Sequence, residues 1–241
     1  MNKLAAFGFG AAVLLAAAPA SAITTFADFS PASNQPNIFY DGSLAGDGTV
    51  TSVDQLVHFS FLNPDGSPGG TTFDAMMNLT ATTDVATVVG GLAILPVLSG
   101  TLTFTALAPV SWGGHTGTNL LSVSFSGGAI TGNLFGSTAT YGNSTPPNTV
   151  DFTSDFLTFT DTTTRDISLA VDAINPTIGF AFGGRRTHSG TVTGDFGADL
   201  SSGNPQGVPE PGSWALMFAG FGLVGSALRS QRRRRVEVSF D

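Results

Sequence analysis

The chemistry-bearing residues of this 241-residue chain are few. There are three histidines, His58, His115 and His188, and no cysteine. The histidines form no H-E-x-x-H run and no i, i+4 pair, so a helical zinc pair is not encoded. Without cysteine there is neither a disulfide framework nor a Cys-based zinc site. No G-x-S-x-G elbow occurs. A Ser/His/Asp constellation meets in space rather than in sequence, so a secreted hydrolase remains a third-ranked reading. Gly220, Gly222 and Gly225 spell G-x-G-x-x-G, but no strand precedes them and no βαβ unit surrounds them.

Carboxylates are more suggestive. Asp151, Asp155, Asp161 and Asp166 cluster in "DFTSDFLTFTDTTTRD", and Asp41 and Asp47 flank another loop. Hard oxygen ligands at such loops can hold a weak Ca²⁺. None matches an EF-hand or a nonapeptide repeat, so solvated turn aspartates and no cofactor are expected, with weak Ca²⁺ as the alternative. Arg165 and Asp166 are expected to pair at the surface. Trp112 lies in "SWGGHTGTN" beside His115 and Asn119, and an exposed indole there could stack on a sugar.

These residues must be positioned by strands. "TSVDQLVHFSFLN" alternates through Val53, Gln55, Val57 and Phe59, which turns His58 to solvent. "TLTFTAL" and "LLSVSFSG" put Leu102, Phe104, Leu121, Val123 and Phe125 inside, with Thr and Ser outside. "ISLAVDAI", "TIGFAFGG" and "GTVTGDF" continue the period of two. "FDAMMNLTATTDVATVV" could hold a short helix, but its Thr and Val content favours strand. "YDGSLAGDG", "NPDGSPGG" and "YGNSTPPN" are turns. The expected fold is all-β, an antiparallel, jelly-roll-like sandwich. Thr pairs recur at alternate positions, among them Thr49/Thr51, Thr80/Thr82 and Thr101/Thr103/Thr105. Their irregular sequence spacing points to ordinary wet strand faces rather than to a regular plane.

Composition narrows the setting. Between Ile23 and Gly207 there are three arginines against fourteen aspartates, a net of −11. Such a surface repels nucleic acid, so no nucleic-acid partner is expected. Residues 1–22 read as a signal peptide: Lys3, an apolar run from Leu4 to Ala17, and an A-x-A site at Ala20-Ser21-Ala22. The β domain covers 23–200, a linker 201–207, an apolar and basic segment 208–235, and a short tail 236–241. Trp214–Leu228 is uncharged over fifteen residues. As a helix it spans roughly 22 Å at ~1.5 Å per residue, against a bilayer core of ~30 Å. Arg229, Arg232, Arg233, Arg234 and Arg235 would keep the following end in the cytoplasm.

Pro209-Glu210-Pro211, then Trp214-Ala215, the apolar run and the arginine cluster resemble the PEP-CTERM sorting signal in its PEPxxWA variant. That resemblance implies an exported protein recognised by an exosortase, an inner-membrane transpeptidase-like protease, then released or passed to the cell surface. The setting it implies is exopolysaccharide-producing Gram-negative bacteria, with exopolysaccharide as a further partner. The same segment occurs on some proteins labelled ice-binding, a label that does not follow from the segment. "VDFTSDFLTF" and "GTVTGDF" resemble strands of the uncharacterised domain that often precedes this tail. Val236–Asp241, beyond the arginines, departs from the family pattern. The function expected is structural or adhesive and non-enzymatic, with a carbohydrate-binding, Ca²⁺-dependent module as the alternative.

Overall fold

A pleated strand turns successive side chains to opposite faces, so Thr and Ser alternating with Phe, Leu and Val make a sheet with one wet and one buried side. The computed structural model describes residues 23–42, 47–62, 68–179 and 186–200. The expected signal peptide with Ala20 and Ala22, the linker, the sorting segment and the C-terminal apolar helix lie outside the described residues. So do the orienting arginines Arg229, Arg232, Arg233, Arg234 and Arg235. Among the described residues twelve strands follow one another: β1 (Thr24–Pro31), β2 (Ile38–Gly42), β3 (Gly48–Leu62), β4 (Pro68–Thr83), β5 (Thr87–Val89) and β6 (Leu92–Trp112). Then come β7 (His115–Ser126), β8 (Ala129–Asn133), β9 (Ala139–Thr145), β10 (Thr149–Thr153), β11 (Arg165–Asn175) and β12 (Arg186–Ala198). No helix occurs among the described residues. The "FDAMMNLTATTDVATVV" stretch forms β4 and β5, as its β-branched content requires. Thr177–Gly179, the first part of an expected strand, follows β11 without strand structure.

All pairings are antiparallel and all strands belong to one sheet. β1 and β2 lie end to end along β3, with Ala27 opposite Phe61 and Phe39 opposite Thr51. They lie equally along β12, with Phe29 opposite Gly194 and Ile38 opposite Gly190. β4 and β5 follow one edge of β6, while β7 and β8 follow the other. β10 continues β9 along β7 and β8. β11 then joins β9 to β12. The outcome is eight composite strands, each paired to its sequence neighbour, with the last closing on the first. This up-and-down closed sheet differs from the expected jelly-roll sandwich, which would route strands between two sheets. Alternation and turn residues specify strands and hairpins; they do not say where the last edge docks.

Glycines set the bend between β7 and β8. Gly127 and Gly128 have φ of 84° and 78°, and the Val97 amide donates to the Gly128 carbonyl 3.1 Å away. A β-carbon at Gly128 would sit 2.5 Å from the Gly142 carbonyl oxygen. The Tyr141 hydroxyl donates to the Gly127 carbonyl at 3.1 Å, and Asn143 Nδ2 donates to the Tyr141 oxygen at 2.8 Å.

One end of the ring is filled with aromatic rings. Phe104 touches Phe29, Phe59 and Phe196 at centroid distances of 4.7, 5.0 and 5.6 Å. Phe156 and Phe159, from the non-strand segment after β10, pack on Phe61 and Phe26 at 5.6 and 5.2 Å. Fully burying such a ring contributes about 1.5–3 kcal/mol.

Candidate binding surface

The hydroxyl residues meet in register. Thr51 of β3 lies opposite Thr80 of β4, Thr80 opposite Thr101 of β6, and Thr101 opposite Ser124 of β7. Asp151 of β10 completes that row across five strands. A second row runs Asn78, Thr103, Ser122 and Thr153. A third runs Thr49, Thr82 and Ser99, and the Thr82 and Ser99 hydroxyls are 3.3 Å apart. Strands repeat at ~4.8 Å and same-face residues at ~6.8 Å, so these rows form an ordered hydroxyl lattice. The wet strand faces expected from the sequence are present. Their mutual alignment was not legible there, because register between strands is a tertiary property.

The clustered aspartates go to different partners. Asp151 accepts from Arg165 Nη1 at 2.6 Å, so Arg165 pairs with Asp151 and not with the expected Asp166. The same guanidinium donates to the Val150 and Phe159 carbonyls at 3.1 and 3.0 Å, while Nε reaches the Thr162 hydroxyl at 2.8 Å. Asp155 Oδ2 accepts from the Thr118 and Asn119 amides at 2.9 and 2.8 Å. Asp41, Asp47 and Asp161 are exposed. Among the described residues, no group of three or more His, Asp or Glu side chains is placed to hold a metal ion.

A carboxylate cluster that the sequence did not signal lies on β1, β11 and β12. Asp28 stands opposite Asp195. Burial raises the Asp28 pKa, the Asp195 charge raises it further, and the Ser60 hydroxyl partly offsets both. Asp166 is also raised, first by burial and then by Asp195, against backbone hydrogen bonds that lower it. Asp199 shows the opposite balance. Burial pushes its carboxyl up, but hydrogen bonds from the Thr163 hydroxyl and the Thr163 and Thr164 amides outweigh that and lower the pKa. Only a contiguous Asp-x-Asp or Asp-Asp pattern would have signalled such a group from sequence, and these residues are far apart along the chain.

Trp112 closes β6 beside the Gly113–Gly114 turn and is half-buried. Its ring stacks on Phe61 at 4.4 Å and an interplanar angle of 26°, so one face serves the core. His115 follows that turn as the first residue of β7 and is exposed. His58 is on the outer face, as alternation requires, with Nδ1 2.9 Å from Asp74 Oδ1 across the β3–β4 ladder. The three histidines thus sit on separate elements.

No curated protein and no solved structure matches the chain. The family comparison matches residues 207–234, which include Pro209, Glu210, Pro211, Trp214 and Ala215. The match also takes in Arg229, Arg232, Arg233 and Arg234, and it stops just before Arg235. The chain therefore carries a PEP-CTERM protein-sorting motif, which implies export and processing by an exosortase at the membrane.

Proposed function

We propose that this chain is a non-catalytic protein of the cell surface or extracellular matrix, structural or adhesive within exopolysaccharide or biofilm. Export through a signal peptide cut after Ala22, transient anchoring by the 208–235 segment and release by exosortase are the steps of its sorting. The PEP-CTERM motif supports that route. The observation that carries the adhesive part is the in-register hydroxyl face on β3, β4, β6, β7 and β10. Polysaccharides present rows of hydroxyl donors and acceptors, and an array of side-chain hydroxyls can exchange hydrogen bonds with them in multiple registers. Sheet twist carries the rows out of one plane, which a flexible polymer can follow and a rigid crystal plane cannot.

Two measurements test this reading. Cells expressing the chain with and without Val208–Arg235 are fractionated; the truncated protein should leave the membrane fraction, and identical fractionation rejects the sorting claim. Co-sedimentation of the full chain with the exopolysaccharide of the producing cell is then compared with Thr80→Val, Thr101→Val and Thr103→Val combined. Retention should fall severalfold in the variant. Equal retention, or none in either protein, removes the adhesive role.

A further inference from the structure

The end of the ring opposite the phenylalanine cluster is built differently. Some wall positions there are small: Ala93 on β6 lies opposite Gly132 on β8, and a β-carbon on Gly132 would meet Ile178 Cδ1 at 2.5 Å and Ala139 Cβ on β9 at 3.3 Å, so Ile178 covers the glycine. Ala93 and Ala139 are buried. A partly enclosed cavity of about 110 Å³ results, walled by these residues and by aliphatic side chains of β2, β3, β6, β8 and β11. An eight-stranded closed sheet is just wide enough to be filled by its own side chains or to hold one small ligand. The chain fills one end with Phe, whereas at the other a cavity remains between Ala93, Ala139 and larger aliphatic side chains. Unfilled apolar space forfeits packing, so a cavity kept at this end calls for an occupant.

The lining is almost wholly apolar, and among the described lining residues none carries a formal charge when His188 is neutral. A charged ligand would be desolvated there without a partner. The polar side chains of the lining are Tyr40, Ser189 and His188, with the Tyr40 and His188 rings 6.0 Å apart. His188, on β12, is half-buried and lines the cavity. Its Nδ1 is 2.6 Å from the Pro176 carbonyl oxygen. A carbonyl only accepts, so Nδ1 carries the proton and the neutral ring keeps Nε2 as an acceptor. Next to the lining residue Ile178, Phe135 is 76% exposed at a φ of 63°, with its amide 2.5 Å from the Ile178 carbonyl oxygen. A bulky residue in that backbone region is strained, and such residues collect at ligand sites.

We propose that this cavity is a binding site for a small neutral molecule with an apolar body and one hydroxyl group, a phenol or short-chain alcohol in size. The body lies against Ala93, Ala139 and Ile178, and the hydroxyl donates to His188 Nε2. At about 110 Å³ the partly enclosed cavity is smaller than the dry apolar cavity of ~150 Å³ that takes up benzene, so a phenol-sized guest extends into its open side. The site uses none of the residues of the hydroxyl face.

The test is fluorine NMR on the purified full chain with 4-fluorophenol and fluorobenzene as probes. 4-Fluorophenol should bind saturably at one site, with fluorobenzene about threefold to tenfold weaker for want of the hydrogen bond. Ala139→Leu fills the cavity and should abolish binding of both probes while the protein still melts cooperatively. Ala93→Val, a smaller change, should weaken both, and it decides the matter if Ala139→Leu does not fold. His188→Leu should erase the preference for the phenol, and His188→Gln, which retains an acceptor, should restore part of it. Absence of saturable binding, or affinities unchanged in both alanine variants, overturns the assignment.

Discussion

Arg165 joins three segments through one planar group: the Val150 carbonyl and Asp151 of β10, the Phe159 carbonyl, and Thr162. A lysine cannot reproduce that fork. Arg165→Lys is expected to cost about 2–3 kcal/mol in denaturant unfolding, because two carbonyls lose their donors. Asp151 is mostly exposed, so Asp151→Asn should cost under about 1 kcal/mol. The reverse order would mean that charge, and not carbonyl capping, dominates. Phe104→Ala should cost about 3–5 kcal/mol, since three other rings lose a partner. The carboxylates predict a pH profile. A raised pKa means that ionised Asp28 penalises the fold above that pKa and is harmless below the unfolded value of 3.8. Asp28→Asn should therefore raise the melting temperature at pH 7, the gain vanishing as pH falls below about 4. Asp199 has the opposite sign: its stabilisation is present above the unfolded value and is lost as pH falls through the lowered folded one. Asp199→Asn should destabilise at pH 7 and flatten the acid limb. Paired melting curves from about pH 3 to 7 check both signs. Alternation made the outward placement of His58 legible, but Arg165 faced two sequence-plausible partners. The nearer in sequence was not the one β10 brings to it.

At the scale of elements, two glycine doublets do two different things. Gly113–Gly114, both at positive φ, joins β6 to β7 as a two-residue hairpin, the turn form that matches strand twist. Gly127–Gly128, also at positive φ, lets one composite strand bend from β7 into β8 along the same edge of β6. Gly128→Ala should cost more than about 1 kcal/mol, through both the backbone conformation and the approach of the Gly142 carbonyl. The denaturation midpoint measures it. Both doublets flank β-strands and contain the same residues, so local sequence cannot distinguish a reversal from a bend. The partner strand decides. The same reasoning applies to the hydroxyl rows. Thr alternation within β3, β4 and β6 is local, and their lateral alignment follows from three hairpin registers fixed by buried Val, Leu and Phe on the other face.

For the whole molecule, closure is the consequential step. β1 pairs with both β3 and β12, from opposite ends of the sequence. Removing Thr24–Pro31 would uncover two sheet edges and the cluster around Phe26 and Phe29, which are buried. Such a truncation should lose its cooperative thermal transition, as read by circular dichroism. A transition that persists would show that closure is dispensable. Sequence alone determined what depends on local order: the all-β class, the inward and outward faces of most strands, the acidic character, and the PEP-CTERM motif, which is a linear signal read residue by residue. Tertiary structure alone decided the up-and-down closure, the alignment of hydroxyls into rows, the Asp28–Asp195–Asp166 cluster and the cavity between Ala93, Gly132, Ala139 and His188. Each of these joins residues distant along the chain. Their juxtaposition depends on which strand edges pair and in what register, and the energy that selects those pairings comes from the shared core rather than from any one segment.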